Sequence, residues 1–274
     1  MILTAENYYS AEANMSYMSS TQYKAFRSCE AAALAEIRGE YVRPVTPALL
    51  IGSYVDAHFE GTLDRFKAEH PEIFKRDGTL KAEFGKADQI IARCEADDLF
   101  MHLMSGKKQV IYTGTISGVP YKIKIDSLLD AAQTMELAAK YPETAEWLGM
   151  QDGLIVDGKV MRDMKSVWRD GEFMPFVTAW GYDVQGAIYQ DVQGGMLPFA
   201  LAVATKEDEP DIEALILPDD TLEAALDEVE VLSPRYQDIK RGKVEPLRCE
   251  HCDYCRATKK LTGFKRYWEV DIID

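Results

Sequence analysis

Residues 109–129 read QVIYTGTISGVPYKIKIDSLL, and the alternation inside this stretch decides the fold. Two runs rich in β-branched and aromatic residues flank Ser117-Gly118, the pattern of a β-hairpin with a tight turn. Successive side chains of a strand point to opposite sides, so Tyr121, Ile123 and Ile125 take a core face and Lys122, Lys124 and Asp126 the other. An acidic residue therefore closes a strand whose other face is apolar.

Toward the C-terminus, residues 131–150 read as a helical insertion. GLIV at 153–156, a turn at Asp157-Gly158 and KVMRDMKSV at 159–167 then suggest a second hairpin, which sets Asp163 and Lys165 on one face. WGYDVQGAIYQDVQG, 180–194, has helical spacing, and PFALAVAT (198–205) and IEALILP (212–218) are strand candidates. Toward the N-terminus, Ser19 and Gln22 form a capping-box pattern, and Tyr23, Phe26, Leu34 and Ile37 share one helical face up to Gly39. Cys29 lies on the flank of that face. Thr46-Pro47 starts another helix that runs to Gly61, and residues 62–108 look helical and polar. Helices, strands, a helix and strands in that order predict an α/β or α+β fold, a mixed central β-sheet flanked by helices. The whole of 1–274 is expected to be one domain.

The net charge of −15 argues against a protein that coats nucleic acid, because non-specific affinity comes from Lys and Arg on phosphates. The charge is uneven. Residues 206–230 hold eleven carboxylates and one lysine, whereas 235–266 hold ten Lys or Arg and four acids, compatible with a DNA groove beside a repelling wall or with two solvated faces. No run approaches the apolar length of a membrane span, and the first residues lack a signal-peptide core. Five cysteines, three of them spaced as Cys249, Cys252 and Cys255, indicate metal or cluster ligation in a reducing compartment rather than a disulfide framework, so the expected location is the cytoplasm.

Phosphodiester hydrolysis needs charge neutralised on the phosphate and hydroxide generated near neutral pH, and bound Mg²⁺ supplies both. The ion prefers oxygen ligands, commonly one or two carboxylates. Asp126 with Asp163-x-Lys165 on a neighbouring strand offers such a set, with the lysine holding water and stabilising developing charge. An isolated Asp-x-Lys carries almost no information, and Asp152, eleven residues before Asp163, is a rival first carboxylate.

Four blocks in order resemble the RecE and RecB-like branch of the PD-(D/E)XK nucleases, a restriction-endonuclease-like fold found in phage and prophage exonucleases. Gly52-Ser53-Tyr54-Val55-Asp56 resembles the family's first-helix motif, and Asp126 in YKIKIDSLL its strand aspartate. Asp163-Met164-Lys165 resembles the E/D-x-K, with Asp in place of the usual Glu, and Gln185-Gly186-Ala187-Ile188-Tyr189 the Gln-x-x-x-Tyr helix. The resemblance implies that Mg²⁺ or Mn²⁺ is held by Asp126, Asp163 and the carbonyl of Met164, that Asp56 helps to place an ion, and that Lys165 orients the water. Gln185 and Tyr189, one helical turn apart, would orient a carboxylate or contact phosphate. Glu60, on the Asp56 face, would be a supporting acid.

Cys249, Cys252 and Cys255 need a fourth ligand, and Cys29 is the candidate within an N-terminal helix at 19–39, joined by the metal to a Cys-rich segment at 235–274. The arrangement resembles the iron–sulfur nucleases of the AddB and CRISPR-adaptation type, which implies a [4Fe–4S] cluster, with Zn²⁺ as the alternative. His251 reads as incidental, and Cys94 as a small apolar filler or a surface thiol. By the same resemblance the expected task is resection of linear double-stranded DNA from its ends, leaving 5′-phosphates and single strands for a recombinase or annealing protein in a host cytoplasm. Ring-shaped homo-oligomers occur among such exonucleases. The rivals are a single-strand or flap nuclease and a DNA- or partner-binding module with a decayed site.

Overall fold

The computed structural model describes residues 1–274 except 170, 196, 265, 267 and 269–274, so the end of the segment expected at 235–274 lies outside the described residues. Helices α1 (Ala11–Ser16), α2 (Ser20–Ser28), α3 (Glu30–Ile37), α4 (Pro47–Glu60), α5 (Leu63–Glu69), α6 (Ala82–Glu95) and α7 (Asp98–Leu103) precede strands β1 (Lys107–Ile116) and β2 (Val119–Asp130). Helices α8 (Ala131–Lys140) and α9 (Pro142–Ala145) lead to β3 (Gly153–Met161), the short strands β4 (Val167–Arg169) and β5 (Glu172–Met174), and helices α10 (Phe176–Ala179) and α11 (Tyr182–Gln193). Strands β6 (Phe199–Thr205) and β7 (Ile212–Leu217) and helices α12 (Asp219–Lys240) and α13 (Asp253–Ala257) complete the chain order.

Ser117 and Gly118 both adopt positive φ, 47° and 76°, which matches the twist a two-residue hairpin turn requires. The turn sets one register from Ile116↔Val119 to Lys107↔Leu128. Five strands then form one mixed sheet in the order β1-β2-β3-β6-β7, antiparallel except for β3 with β6. All seven residues of β6 are buried. Its Phe199, Leu201 and Val203 face a layer containing Tyr23, Phe26 and Ile188, from α2 and α11. Its Ala200, Ala202 and Ala204 face Tyr54 and Ile90, from α4 and α6. A mixed sheet between two helical layers is the α/β class expected.

Three local expectations fail. Asp157-Gly158 makes no turn: β3 runs unbroken from Gly153 to Met161 because its parallel pairing with β6 continues through Asp157↔Leu201 and Gly158↔Ala202. Tertiary pairing outweighs the local turn preference of Asp-Gly. The N-terminal helix also breaks at Cys29, whose extended backbone (φ −163°, ψ 107°) separates α2 from α3. Ser19 Oγ caps α2 by accepting from Gln22 N, but the Gln22 side chain instead donates to Asn14 O, so the reciprocal capping box is absent.

Gly186 is dictated by packing. A Cβ there would stand 2.7 Å from Phe199 Cδ1 and 2.8 Å from Leu222 Cδ2, so only glycine lets α11 lie this close to β6. Gly186→Ala is expected to lose about 1–3 kcal/mol of stability in urea denaturation. An unchanged midpoint would contradict the close seat.

Candidate active site and four-cysteine site

Strands β2 and β3 pair only from Asp130↔Gly153 to Ser127↔Val156 and then part. The next residues outward are Asp126 and Asp157, so the two aspartates face each other at the fork. Gly158 N–H donates to Asp126 Oδ2 at 3.1 Å, and Asp157 Oδ2 lies 2.5 Å from Lys159 Nζ. From α11, Gln185 Nε2 donates to Asp157 Oδ2 at 2.8 Å, and Tyr189 OH donates to Lys124 O at 3.2 Å. Asp56 and Glu60, one turn apart on α4, close the other wall of a cleft of about 620 Å³.

Behind Asp126 the β1–β2 ladder skips one pair, and Gln109 there takes the left-handed φ of 54°. This conformation costs a non-glycine residue about 1 kcal/mol or more. It lets Gln109 Nε2 donate to Asp126 Oδ1 at 3.3 Å.

The fork crowds acidic side chains out of water. Burial raises the Asp157 carboxyl to about 8, with Lys159 pulling the other way and the Asp126 charge adding to the rise. Asp56 is exposed to the cleft, where desolvation by the surrounding walls and then the Asp126 charge raise it to about 7. Burial works against the Lys159 ammonium, yet Asp157 and Asp126 hold its pKa above the ordinary lysine value. Crowded, partly desolvated carboxylates suit a hard divalent cation, which replaces their protons.

The residues expected to complete the motif lie elsewhere. β3 ends at Met161, so Asp163, Met164 and Lys165 follow it in a loop. Asp163 Oδ1 accepts from Lys165 N, and Lys165 Nζ is engaged 3.3 Å from Glu207 Oε1. The Asp-x-Lys that meets Asp126 is Asp157-Gly158-Lys159, hidden in the sequence by the turn-like Asp-Gly. The apolar LIV immediately before Asp157 was the available signal that the strand continues. Asp152 is exposed beside the start of β3, at the paired end of the fork and away from Asp126 and Asp157. The structure does bring together Asp56, Asp126, Gln185 and Tyr189. A Cβ at Gly52 would make ordinary contacts, 3.9 Å from Lys206 Nζ, so nothing crowded requires glycine there. His58 turns away to Glu95 at 2.8 Å.

Several cations of the basic C-terminal stretch are engaged inside the protein. Arg235 makes two bonds to Glu30 (2.7 and 2.8 Å), Lys240 is buried against Tyr17 O and Gln22, and Arg248 binds Glu250 and Cys255 O. The cleft cations are instead Lys24, Lys122, Lys124 and Lys159. Lys24 Nζ donates to Gln185 Oε1 at 2.9 Å and so extends the chain of bonds that ends on Asp157.

On the far side of α3, the break at Cys29 aims its sulfur at the C-terminal cysteines. The Sγ atoms of Cys29, Cys249, Cys252 and Cys255 all lie within 4.8 Å of one another, with Cys29–Cys255 at 3.6 Å and Cys249–Cys255 at 3.9 Å. Burial opposes ionisation of Cys249, but the N–H groups of His251 and Cys252 draw its thiol down to about 6. A tetrahedral ion with sulfur ligands at about 2.3 Å holds them about 3.8 Å apart, which fits this spacing. A cubane, with one thiolate per iron, needs sulfurs roughly 6 Å apart, wider than the cluster here. Exposed His251 bonds Cys249 O through Nδ1. Cys94, on α6, is fully buried in the core layer that includes Tyr54 and Val55, and its thiol is pushed up to about 12 by burial, as befits an apolar filler.

Comparisons with known proteins bear on the fold and the family. A crystal structure of a "putative exonuclease" from Eubacterium rectale is similar, with a TM-score of 0.85 and 43% sequence identity over 98% of each chain. No protein of curated function matches the chain. Among the described residues no helix is long and apolar enough to cross a membrane. The family described as a PDDEXK-like domain of unknown function (DUF3799) matches residues 19–136 and 140–258, and together these similarities support a nuclease. By that extent of match, the chain belongs to the PDDEXK-like DUF3799 family.

Proposed function

We propose that the chain is a Mg²⁺- or Mn²⁺-dependent deoxyribonuclease that degrades linear double-stranded DNA from its ends. The observation that carries this reading is the meeting of Asp56, Asp126 and Asp157 with Lys159 where β2 and β3 part. Asp126 and Asp157 would be the principal ligands, with Asp56 contributing from α4. Bound there, a divalent ion neutralises phosphate charge and lowers the pKa of water. Lys159 holds the attacking water and offsets charge developing on the phosphate. Gln185 fixes Asp157, and Lys24 fixes Gln185. Cleavage to a 5′-phosphate, supply of single strands to an annealing protein and a cytoplasmic setting follow from the RecE-like resemblance. Asp163 and Lys165 have no part in this reading. The complete carboxylate–lysine set also weighs against a decayed site.

Asp157→Asn and Lys159→Ala are each expected to reduce Mg²⁺-dependent digestion of end-labelled linear duplex by on the order of 100-fold or more, with Lys165→Ala close to wild type. A dead Lys165 variant beside an active Lys159 variant would reverse the assignment.

The raised pKa values also set a pH dependence. The metal-free folded state binds protons at Asp157 and Asp56 that the unfolded chain has already released. Its stability therefore falls as pH rises from the ordinary carboxylate range toward about 8 and about 7, the two folded values. A divalent ion takes the place of those protons. The rise in melting temperature given by saturating Mn²⁺ is thus expected to grow between about pH 6 and about pH 8.5. A rise independent of pH would contradict it.

For the four cysteines, the resemblance favours [4Fe–4S] and the sulfur spacing favours zinc. We propose a single Zn²⁺ bracing the α2–α3 break against the C-terminal segment. Elemental analysis is expected to find one zinc per chain, and chelation to lower the melting temperature. Iron with inorganic sulfide and a visible absorption band would overturn this in favour of the cluster.

A further inference from the structure

A second feature of the cleft is aromatic. The N-terminal segment docks along β2 where β3 has left it: Met18 N donates to Pro120 O and Lys122 N to Met18 O, each at 2.8 Å. The buried Lys122 ammonium donates to Tyr8 O and, at 2.8 Å, to Asn14 Oδ1, and it lies 4.5 Å from the Tyr8 ring centroid. Tyr8 is thereby fixed, 6% exposed, and carries Tyr9 edge to face at 5.0 Å. Tyr9 is the contrast, 68% exposed in the wall of the same cleft as Asp126, Asp157 and Lys159. Lys124 Nζ stands 4.8 Å from its ring. A rigidly backed, exposed aromatic beside a cation and next to a phosphate-cleaving centre has the components of a base-stacking platform.

We propose that Tyr9 stacks an unpaired nucleobase of the strand whose phosphate enters the fork, while Lys124 faces the neighbouring phosphate. Bases inside a duplex are covered by their neighbours on both faces, so the site selects a frayed or single-stranded end as the form handed to the carboxylates. This inference rests on the nuclease reading above and specifies the nucleotide conformation that reading leaves open.

The test pairs Tyr9→Ala, Tyr9→Phe and Tyr9→Trp with oligonucleotides carrying one abasic site, moved stepwise along the cleaved strand. For wild type, one abasic position is expected to raise KM on the order of tenfold, as Tyr9→Ala does on the intact strand with little change in kcat. The two losses should not add, since both remove the same contact, and Phe and Trp should restore binding. Full additivity, or a Tyr9→Ala enzyme with unchanged KM, would overturn the proposal while leaving the nuclease assignment in place. If wild type cleaves nothing, quenching of a 2-aminopurine strand in Ca²⁺ reports binding directly. Quenching that Tyr9→Ala abolishes would then support the platform, and its absence would remove it together with the nuclease reading.

Discussion

Every feature of the candidate site depends on two strands that stop pairing. β2 and β3 share four residue pairs and then separate, β2 staying with β1 and β3 passing to β6. In an unbroken sheet Asp126 and Asp157 would be ordinary neighbours with their backbones paired. At the fork their carboxylates open into a cleft, where backbone and side-chain donors, Gly158 N–H, Gln109 and Gln185, hold them in place. The cost is visible as crowded carboxylates, Asp157 fully buried among them, and a left-handed glutamine, a concentration of strain of the kind found at functional sites.

The two helical layers bring complementary chemistry to this fork. α4 delivers an acid from one side, while α11, seated closely through Gly186, delivers Gln185 and Tyr189 from the other. The N-terminal segment adds a wall of lysines and tyrosines along the released edge of β2. A protein of net charge −15 thereby gathers Lys24, Lys122, Lys124 and Lys159 in one cleft, while Arg235, Lys240 and Arg248 of the C-terminal stretch are engaged in internal bonds.

Much of this was legible in the residues. The alternation of YKIKID fixed a strand with Asp126 on its non-core face, Thr46-Pro47 and Gly61 bounded the helix that carries Asp56, and the i, i+4 pair Gln185/Tyr189 lay on a clear helix. The cysteine spacing called for a fourth ligand, and the resemblance to the iron–sulfur nucleases singled out Cys29. What was not legible depended on long-range pairing. Asp157-Gly158 has the local chemistry of a turn, and only the parallel ladder with β6, over forty residues on in sequence, keeps it extended. Asp163-x-Lys165 matched the motif in letters, but β3 ends two residues too soon to present it. The helix break at Cys29 likewise answers to sulfurs 220 residues and more away, not to any local breaker.

The central claim is that one divalent ion binds at the fork. A crystal structure of the protein soaked with Mn²⁺, read by anomalous scattering, tests it most directly. A manganese peak bridging Asp126 and Asp157, within reach of Asp56 and next to Lys159, is the expected result. A peak at Asp163, or a fork with no metal while Mn²⁺ supports cleavage, would contradict the account.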